Sequence, residues 1–340
     1  MGKFKMGIIG CGRMTTTNHL SSFELIKDVC EVVAVCDIDE DHAKNAANVL
    51  GAGFYTTDYA ELVGKVDGVL ISLPHHLHYE VGMFFITHDI HVLLEKPLCN
   101  TEEECVNLIT EAEKRGLTLM CAYPVPYWKE VVKLKELIDS GEYGEVFQMS
   151  IWTEQLTKND EKPWGRSAKT LGGGQLFSHG CHYIDVMMRF LGKPVSGVHI
   201  GSNKGTPWME KEGTSNVILT FENGAMGYHF GTWGARGTTH GYNFQVFTDK
   251  GFFEMDHFKS KIIWKSDLDP KSEGPKTIEW DFDDNSKQTQ YEIGHFVDCV
   301  LNGKRPLTDG RSAVESLRVI WRLYEAEQKG IVADLRGLGI

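Results

Sequence analysis

The first third of the chain alternates short apolar runs with amphipathic stretches. "KMGIIGCG" (5–12), "CEVVAVCD" (30–37), "VDGVLISLP" (66–74), "IHVLLEKPL" (90–98) and "LTLMCAY" (117–123) are apolar runs of strand length. Between them, a polar-to-apolar stretch to about Lys27, "DEDHAKNAANVL" (39–50) and "HLHYEVGMFFITH" (76–88) have helical composition. "TEEECVNLITEAEKRG" (101–116) opens on Thr101 with Glu104 three residues on, a capping-box pattern. It closes on Gly116, a helix stop. Continuous apolar strands alternating with helices predict a parallel sheet covered on both faces.

From about Glu145 the pattern changes. "EVFQMSIWTEQL", "VSGVHIGSN", "SNVILTFENGAMGYHFGTW", "YNFQVFTDKGFFEM", "KIIWKSD" and "KTIEWDF" are β-branched and aromatic. Asn223-Gly224 and Lys250-Gly251 read as hairpin turns. These segments predict an open, mainly antiparallel sheet of about six strands. Flanking helices are expected at about 127–140, 175–191, 290–302 and 311–329, and an exposed loop within the polar stretch 266–288. The fold class is therefore α/β followed by α+β. The first domain is expected over 1–122 and the second over 123–340.

The bulk numbers narrow the function. With 340 residues the chain is long enough for two domains, and 41% apolar with 24% charged residues is ordinary for a globular protein. The net charge of -12 argues against nucleic acid and anionic membrane surfaces as partners. No run of apolar residues is long enough to span a bilayer. The N-terminus lacks the features of a secretory signal, and Met6 stands where myristoylation of Gly2 would want Ser or Thr. The eight cysteines show no C-x-x-C pair, so they read as reduced, buried thiols of a cytoplasmic protein.

Gly10, Gly12 and position 15 form G-x-G-x-x-T directly after a strand and before a helix. The first glycine permits the turn, and the second lets the backbone approach a pyrophosphate at the helix N-terminus. Thr15 replaces the third glycine, which predicts slightly looser helix–strand packing. Asp37 ends the second strand, where a carboxylate accepts hydrogen bonds from an adenosine ribose. Asp37, with Asp39 nearby and no following arginine, favours NAD over NADP. Alone, the glycine turn would also suit any tight strand–helix junction.

"GIIGCGRM", "AVCDID", "LLEKPL" and "GGGQLFSHGCHYID" (172–185) occur in this order. With these motifs the chain resembles, over nearly its whole length, the glucose-fructose oxidoreductase / inositol dehydrogenase / MocA (Gfo/Idh/MocA) family. The resemblance implies an N-terminal Rossmann domain, a substrate domain with an open sheet, and NAD(P)-dependent oxidation of sugars, polyols or their derivatives. It also implies a homodimer or homotetramer formed through that sheet. Lys96 matches the family's catalytic lysine and His182 its catalytic histidine, with Asp185 the acid one turn later. The family often has Asp four residues before the histidine; this chain has Ser178, followed by His179. Gly10, Cys11, Gly12, Arg13, Met14, Asp37, Leu73, Pro74, His75, His78, Glu95 and Lys96 are the expected cofactor-binding residues. The Lys96–Pro97 bond is expected to be cis.

Hydride exchange with a secondary alcohol needs a group to handle the hydroxyl proton, and histidine titrates near neutrality. His182 fits that role, and Lys96 can polarise the oxygen or trade the proton itself. On a regular helix Ser178, His182 and Asp185 share one face. Ser178, His179, Asp185, Tyr123, Trp164 and Arg166 are the candidate substrate contacts, with Trp233 and Arg236 as further ones. For Tyr123, Trp164 and Arg166 ordinary loop packing is an equal alternative. A metal held by His179, His182 and Asp185 is the rival reading, but no further ligand is positioned to complete a shell, so no metal is expected. The leading expectation is an NAD-dependent sugar, polyol or glycoside dehydrogenase. A sugar-modifying enzyme working through a transient keto-sugar, and a cofactor-sensing regulator without chemistry, are the alternatives.

Overall fold

The computed structural model describes residues 2–158, 163–266, 276–283 and 287–338. The chain forms two compact units, Met1–Pro124 with Lys287–Val314, and Val125–Ser286 with Glu315–Ile340.

The first unit runs β1 (Phe4–Ile9), α1 (Leu20–Leu25), β2 (Cys30–Cys36), α2 (Glu40–Leu50), β3 (Phe54–Thr56), β4 (Gly68–Ile71), α3 (His78–Thr87), β5 (His91–Glu95), α4 (Glu102–Lys114) and β6 (Leu119–Ala122). Its sheet has the order β3-β2-β1-β4-β5-β6, all parallel. This is the dinucleotide-binding order, with its switch point between β1 and β4. Every residue of β4 is buried, so helices cover both faces, as the continuous apolar runs require. The helix starts follow the local chemistry. Asp39 accepts from the Asp41 and His42 amides to cap α2. Thr101 and Glu104 form the expected capping box on α4, and Gly116 takes the left-handed conformation just past the helix end (φ +67°).

The second unit holds α5 (Lys129–Asp139), β7 (Val146–Glu154), α6 (Ala168–Leu171), α7 (Cys181–Leu191), β8 (Pro194–Ser202), β9 (Thr214–Phe221), β10 (Met226–Thr232), β11 (Tyr242–Thr248), β12 (Gly251–Asp256), β13 (Lys261–Ser266) and β14 (Lys276–Asp281). Later come α8 (Thr289–Asn302), α9 (Gly310–Lys329) and β15 (Ala333–Asp334). The sheet order is β14-β13-β12-β11-β7-β10-β9-β8-β15. All neighbours are antiparallel except β7 and β10, which run parallel. Nine strands replace the expected six or so, because two segments divide at their turns and the chain end adds β15. Period-2 alternation sends Met149, Ile151, Val217, Leu219, Phe244 and Val246 into the core. It leaves Ile200, Ile218 and Met226 exposed on the other face. The loop expected within 266–288 falls largely outside the described residues.

The domain expectation needs one correction: 287–314 returns to the first unit. Polar and aromatic contacts hold it there. The Thr289 hydroxyl donates to the Asn18 carbonyl at 2.7 Å and lies 2.6 Å from the Ser22 hydroxyl. Phe296 meets Phe4 edge-on at 6.0 Å. Thr308 donates its hydroxyl to Cys121 O (2.8 Å) and accepts the Cys121 amide on its own carbonyl (2.9 Å). None of these partners is near in sequence. No helix among the described residues is long and apolar enough to cross a membrane.

Candidate active site

In the first unit the turn after β1 is shaped for a close-lying ligand. Gly10 has φ +91°, and a Cβ there would sit 2.2 Å from Ser72 O. Nothing lies within 4 Å of a Cβ at Gly12, so its backbone faces open space. Gly12 and Arg13 are exposed, and Met14 is half-buried. The Cys11 thiol is a buried filler; burial, then Asp37 and Cys36, push it up to about 12. Thr15 corrects the expectation of looser packing. It is fully buried, and its hydroxyl donates to Gly10 O at 2.6 Å, stapling the turn to the π-type turn Thr15–His19. Asp37 lies where expected, but it also holds the turn. Its Oδ2 accepts from the Cys11 amide (2.6 Å) and its Oδ1 from the Asp39 amide (2.9 Å). Each oxygen keeps a second lone pair for a ribose hydroxyl. A glycine cradle, an open amide and an anchored acid fit a dinucleotide.

Leu73 and Pro74 are half-buried after β4, and the Leu73 side chain lies against Gly10. His75 is buried in the short turn that follows. His78 packs inside the unit. It is fully buried, with Nδ1 2.8 Å from Pro97 O and Nε2 2.9 Å from Leu73 O. It ties the loop after β4 to the loop after β5. Burial lowers its pKa against the pull of the two carbonyls.

Glu95 also faces inward. Its Oε1 lies 2.8 Å from His19 Nε2, and its Oε2 accepts the Lys96 amide at 3.2 Å. Burial opposes its ionisation, but the His19 hydrogen bond and charge, with Lys96 and Lys287, prevail and bring it down to about 2. Glu95 thus anchors the Lys96 backbone. Lys96 is half-buried at the carboxyl end of β5, and the Lys96–Pro97 bond is cis as expected. His19 was not foreseen, because its partner is 76 residues away. Glu292 of α8 was missed too. It is fully buried, and burial and then Glu95 raise its pKa well above the ordinary value, while Lys287 pulls the other way.

In the second unit the run 172–185 opens as a π-type turn, Leu176–Gly180, and continues as α7. The wide turn breaks the regular spacing assumed for Ser178, His182 and Asp185. It still groups the histidines: the rings of His179 and His182 lie 5.9 Å apart, edge to face. Tyr183 approaches both, at 5.3 and 6.0 Å, and Tyr242 lies 5.8 Å from His179. Tyr183 also stacks on His229, whose pKa burial brings down to about 3. Gln175, fully buried and not foreseen, places its Nε2 3.4 Å from His179 Nδ1. An amide nitrogen can only donate, so that ring nitrogen is the acceptor. Ser178 is buried within the wide turn.

Asp185 pairs along its own helix. Both its oxygens accept from Arg189, at 2.7 and 3.0 Å, and the carboxyl is buried. Burial raises its pKa against the guanidinium's pull. The i,i+4 spacing of Asp185 and Arg189 was a legible signal for this pairing. No group of three or more His, Cys, Asp or Glu able to hold a metal occurs among the described residues.

The outlying candidates are packed into the fold. Tyr123 is fully buried in the first unit. Trp164 packs on the buried cluster of Leu171, Met209 and Trp233. Arg166 donates from Nε and Nη2 to Lys158 O, at 3.2 and 3.1 Å. Arg236 is exposed and donates to Gly234 O at 3.1 Å.

Two family models match the chain. Residues 4–123 match the oxidoreductase family with an NAD-binding Rossmann fold, and residues 131–254 match the GFO/IDH/MocA C-terminal domain. The chain belongs to the Gfo/Idh/MocA family; it is an oxidoreductase whose first unit is an NAD-binding domain. It is 25% identical to myo-inositol 2-dehydrogenase of Thermotoga maritima, covering 92% of this chain and 93% of that one. It is 26% identical to 2,7-anhydro-N-acetylneuraminate hydratase of Escherichia coli, over 58% of this chain and 52% of that one. Among solved structures, levoglucosan dehydrogenase with NADH and levoglucosan superposes with a TM-score of 0.88, at 18% identity, covering 98% of this chain and 100% of that one. That structural likeness bears on the fold alone.

Proposed function

We propose that this chain is an NAD-dependent dehydrogenase of a secondary hydroxyl on a sugar, polyol or glycoside. The observation that carries the reading is the anchoring of Lys96. This lysine directly follows the strand next to β4, at the carboxyl edge of the sheet where ligands bind in such folds. Its amide is held by a carboxylate that His19, with Lys96 and Lys287, keeps ionised down to about pH 2 against the opposing effect of burial.

Bound NAD supplies the hydride acceptor. The glycine turn and Asp37 hold and orient it. The Lys96 ammonium donates to the substrate oxygen and stabilises the alkoxide as it develops. His182 takes the hydroxyl proton and returns it in the reverse direction. His179, whose Nδ1 lies 3.4 Å from Gln175 Nε2, stands beside His182 as a contact for a neighbouring hydroxyl. The rings of Tyr183 and Tyr242 bound the imidazoles.

The test is a screen of monosaccharides, polyols, uronates and glycosides for NADH fluorescence, followed by Lys96→Ala and His182→Ala. Each variant is expected to lose at least about a thousandfold in turnover while NAD still binds. Unchanged turnover in either variant refutes the assignment. The hydratase relative favours one alternative, elimination or hydration through a transient keto-sugar with NAD recycled in place. That reaction consumes substrate without accumulating NADH.

A further inference from the structure

The helix that carries His179 and His182 begins without a cap of its own. Its first internal bond runs from the Ser178 amide to Gly174 O at 3.0 Å. The four preceding amides, of Gly174, Gln175, Leu176 and Phe177, therefore have no helical acceptor. No side chain of the local segment caps them. All four are satisfied by two residues distant in sequence. Tyr324 Oη accepts from the Gly174 and Phe177 amides, each at 3.2 Å. Glu212 accepts the Gln175 amide on its backbone oxygen (2.8 Å) and the Leu176 amide on Oε1 (3.2 Å). The Tyr324 hydroxyl in turn donates to Glu212 Oε1 at 2.5 Å. One phenol oxygen uses its single proton and both lone pairs. Gly174 is part of the device: a Cβ there would lie 2.1 Å from the Glu212 carboxyl. A carboxyl at a helix N-terminus is also favoured by the helix dipole.

We infer that Glu212 and Tyr324 are positioning residues that cap this helix from outside and so set where the two imidazoles stand. The inference rests on the reading of His182 as the proton-transferring group. Both act through the amides they hold in the first turn.

The experiment compares Glu212→Ala, Glu212→Gln and Tyr324→Phe in the full chain. Hydrogen–deuterium exchange of peptides covering 172–181 reads the cap directly, whatever the substrate. Glu212→Ala and Tyr324→Phe are expected to speed exchange there about tenfold, as for a lost hydrogen bond, and to leave α4 unchanged. Glu212→Gln keeps the Oε1 acceptor and is expected to restore protection. With a sugar that gives NADH in the screen, kcat falls about 10- to 100-fold in the first two variants and recovers in Glu212→Gln. The NAD dissociation constant stays the same throughout. Unchanged exchange in both variants overturns the cap. Faster exchange with an unchanged kcat, where His182→Ala is inactive, overturns the positioning role. If His182→Ala itself stays active, the functional reading fails while the exchange result still decides the cap.

Discussion

His19→Ala tests the buried pair beneath Lys96. Glu95 is 5% exposed and has a partner on each oxygen, His19 on Oε1 and the Lys96 amide on Oε2. Burial alone would raise its pKa, yet it falls from the ordinary 4.5 to about 2, with His19 the largest of the lowering influences. A drop of that size corresponds to about 3 kcal/mol of folding stability at neutral pH. A depressed carboxyl stabilises the folded chain above its unfolded pKa, and that contribution is lost as pH falls through the folded value. Between about pH 4.5 and 2 the unfolded chain binds the proton that native Glu95 refuses, so the parent loses stability as the pH falls. Without His19 the carboxyl titrates closer to the unfolded chain. Urea unfolding is expected to show His19→Ala about 3 kcal/mol less stable at pH 7, as for a buried pair that loses one member. The gap should narrow steadily below pH 4.5. A gap equal at pH 7 and pH 3 would show that the pair's electrostatics contribute nothing and that the variant suffers only from lost packing.

Two further perturbations follow from the described contacts. Gly10→Ala puts a methyl 2.2 Å from Ser72 O on a backbone at φ +91°, and should weaken NADH binding roughly 100-fold by fluorescence titration; an unchanged dissociation constant would show that the turn is not the cofactor's cradle. Arg189→Ala leaves the buried Asp185 carboxyl without its guanidinium and should cost about 3 kcal/mol in denaturant unfolding. Adding Asp185→Asn should recover much of it, and no recovery would mean that Arg189 stabilises through packing alone.

What could be read from the chain followed the distance of the interactions. The parallel strands, the capping box at Thr101 and Glu104 and the stop at Gly116 are written in residues within one element, and each appears as expected. Lys96 and His182 were visible as motif positions, and the structure places each at the start or end of a regular element. The supports of these residues were not visible. His19 reaches Glu95 across 76 residues, and Tyr324 reaches Phe177 across 147. Such pairs leave no periodic or local trace. The return of 287–314 to the first unit is of the same kind, since an amphipathic helix says which face is buried but not against what. Asp185 differs, because its partner lies on the same helix four residues on. There the motif drew attention away from a local pairing that the spacing already offered.

The eight cysteines, none of them in a disulfide, have a practical consequence. All are buried, so an alkylating reagent meets a thiol only when the chain opens. Cys11, Cys30, Cys36, Cys99, Cys105, Cys121 and Cys299 belong to the first unit, and Cys181, next to His182, belongs to the second. Mass spectrometry of iodoacetamide adducts would therefore clock the breathing of each unit separately in the unmodified protein. Cys181 alone would serve as the sentinel for the histidine helix.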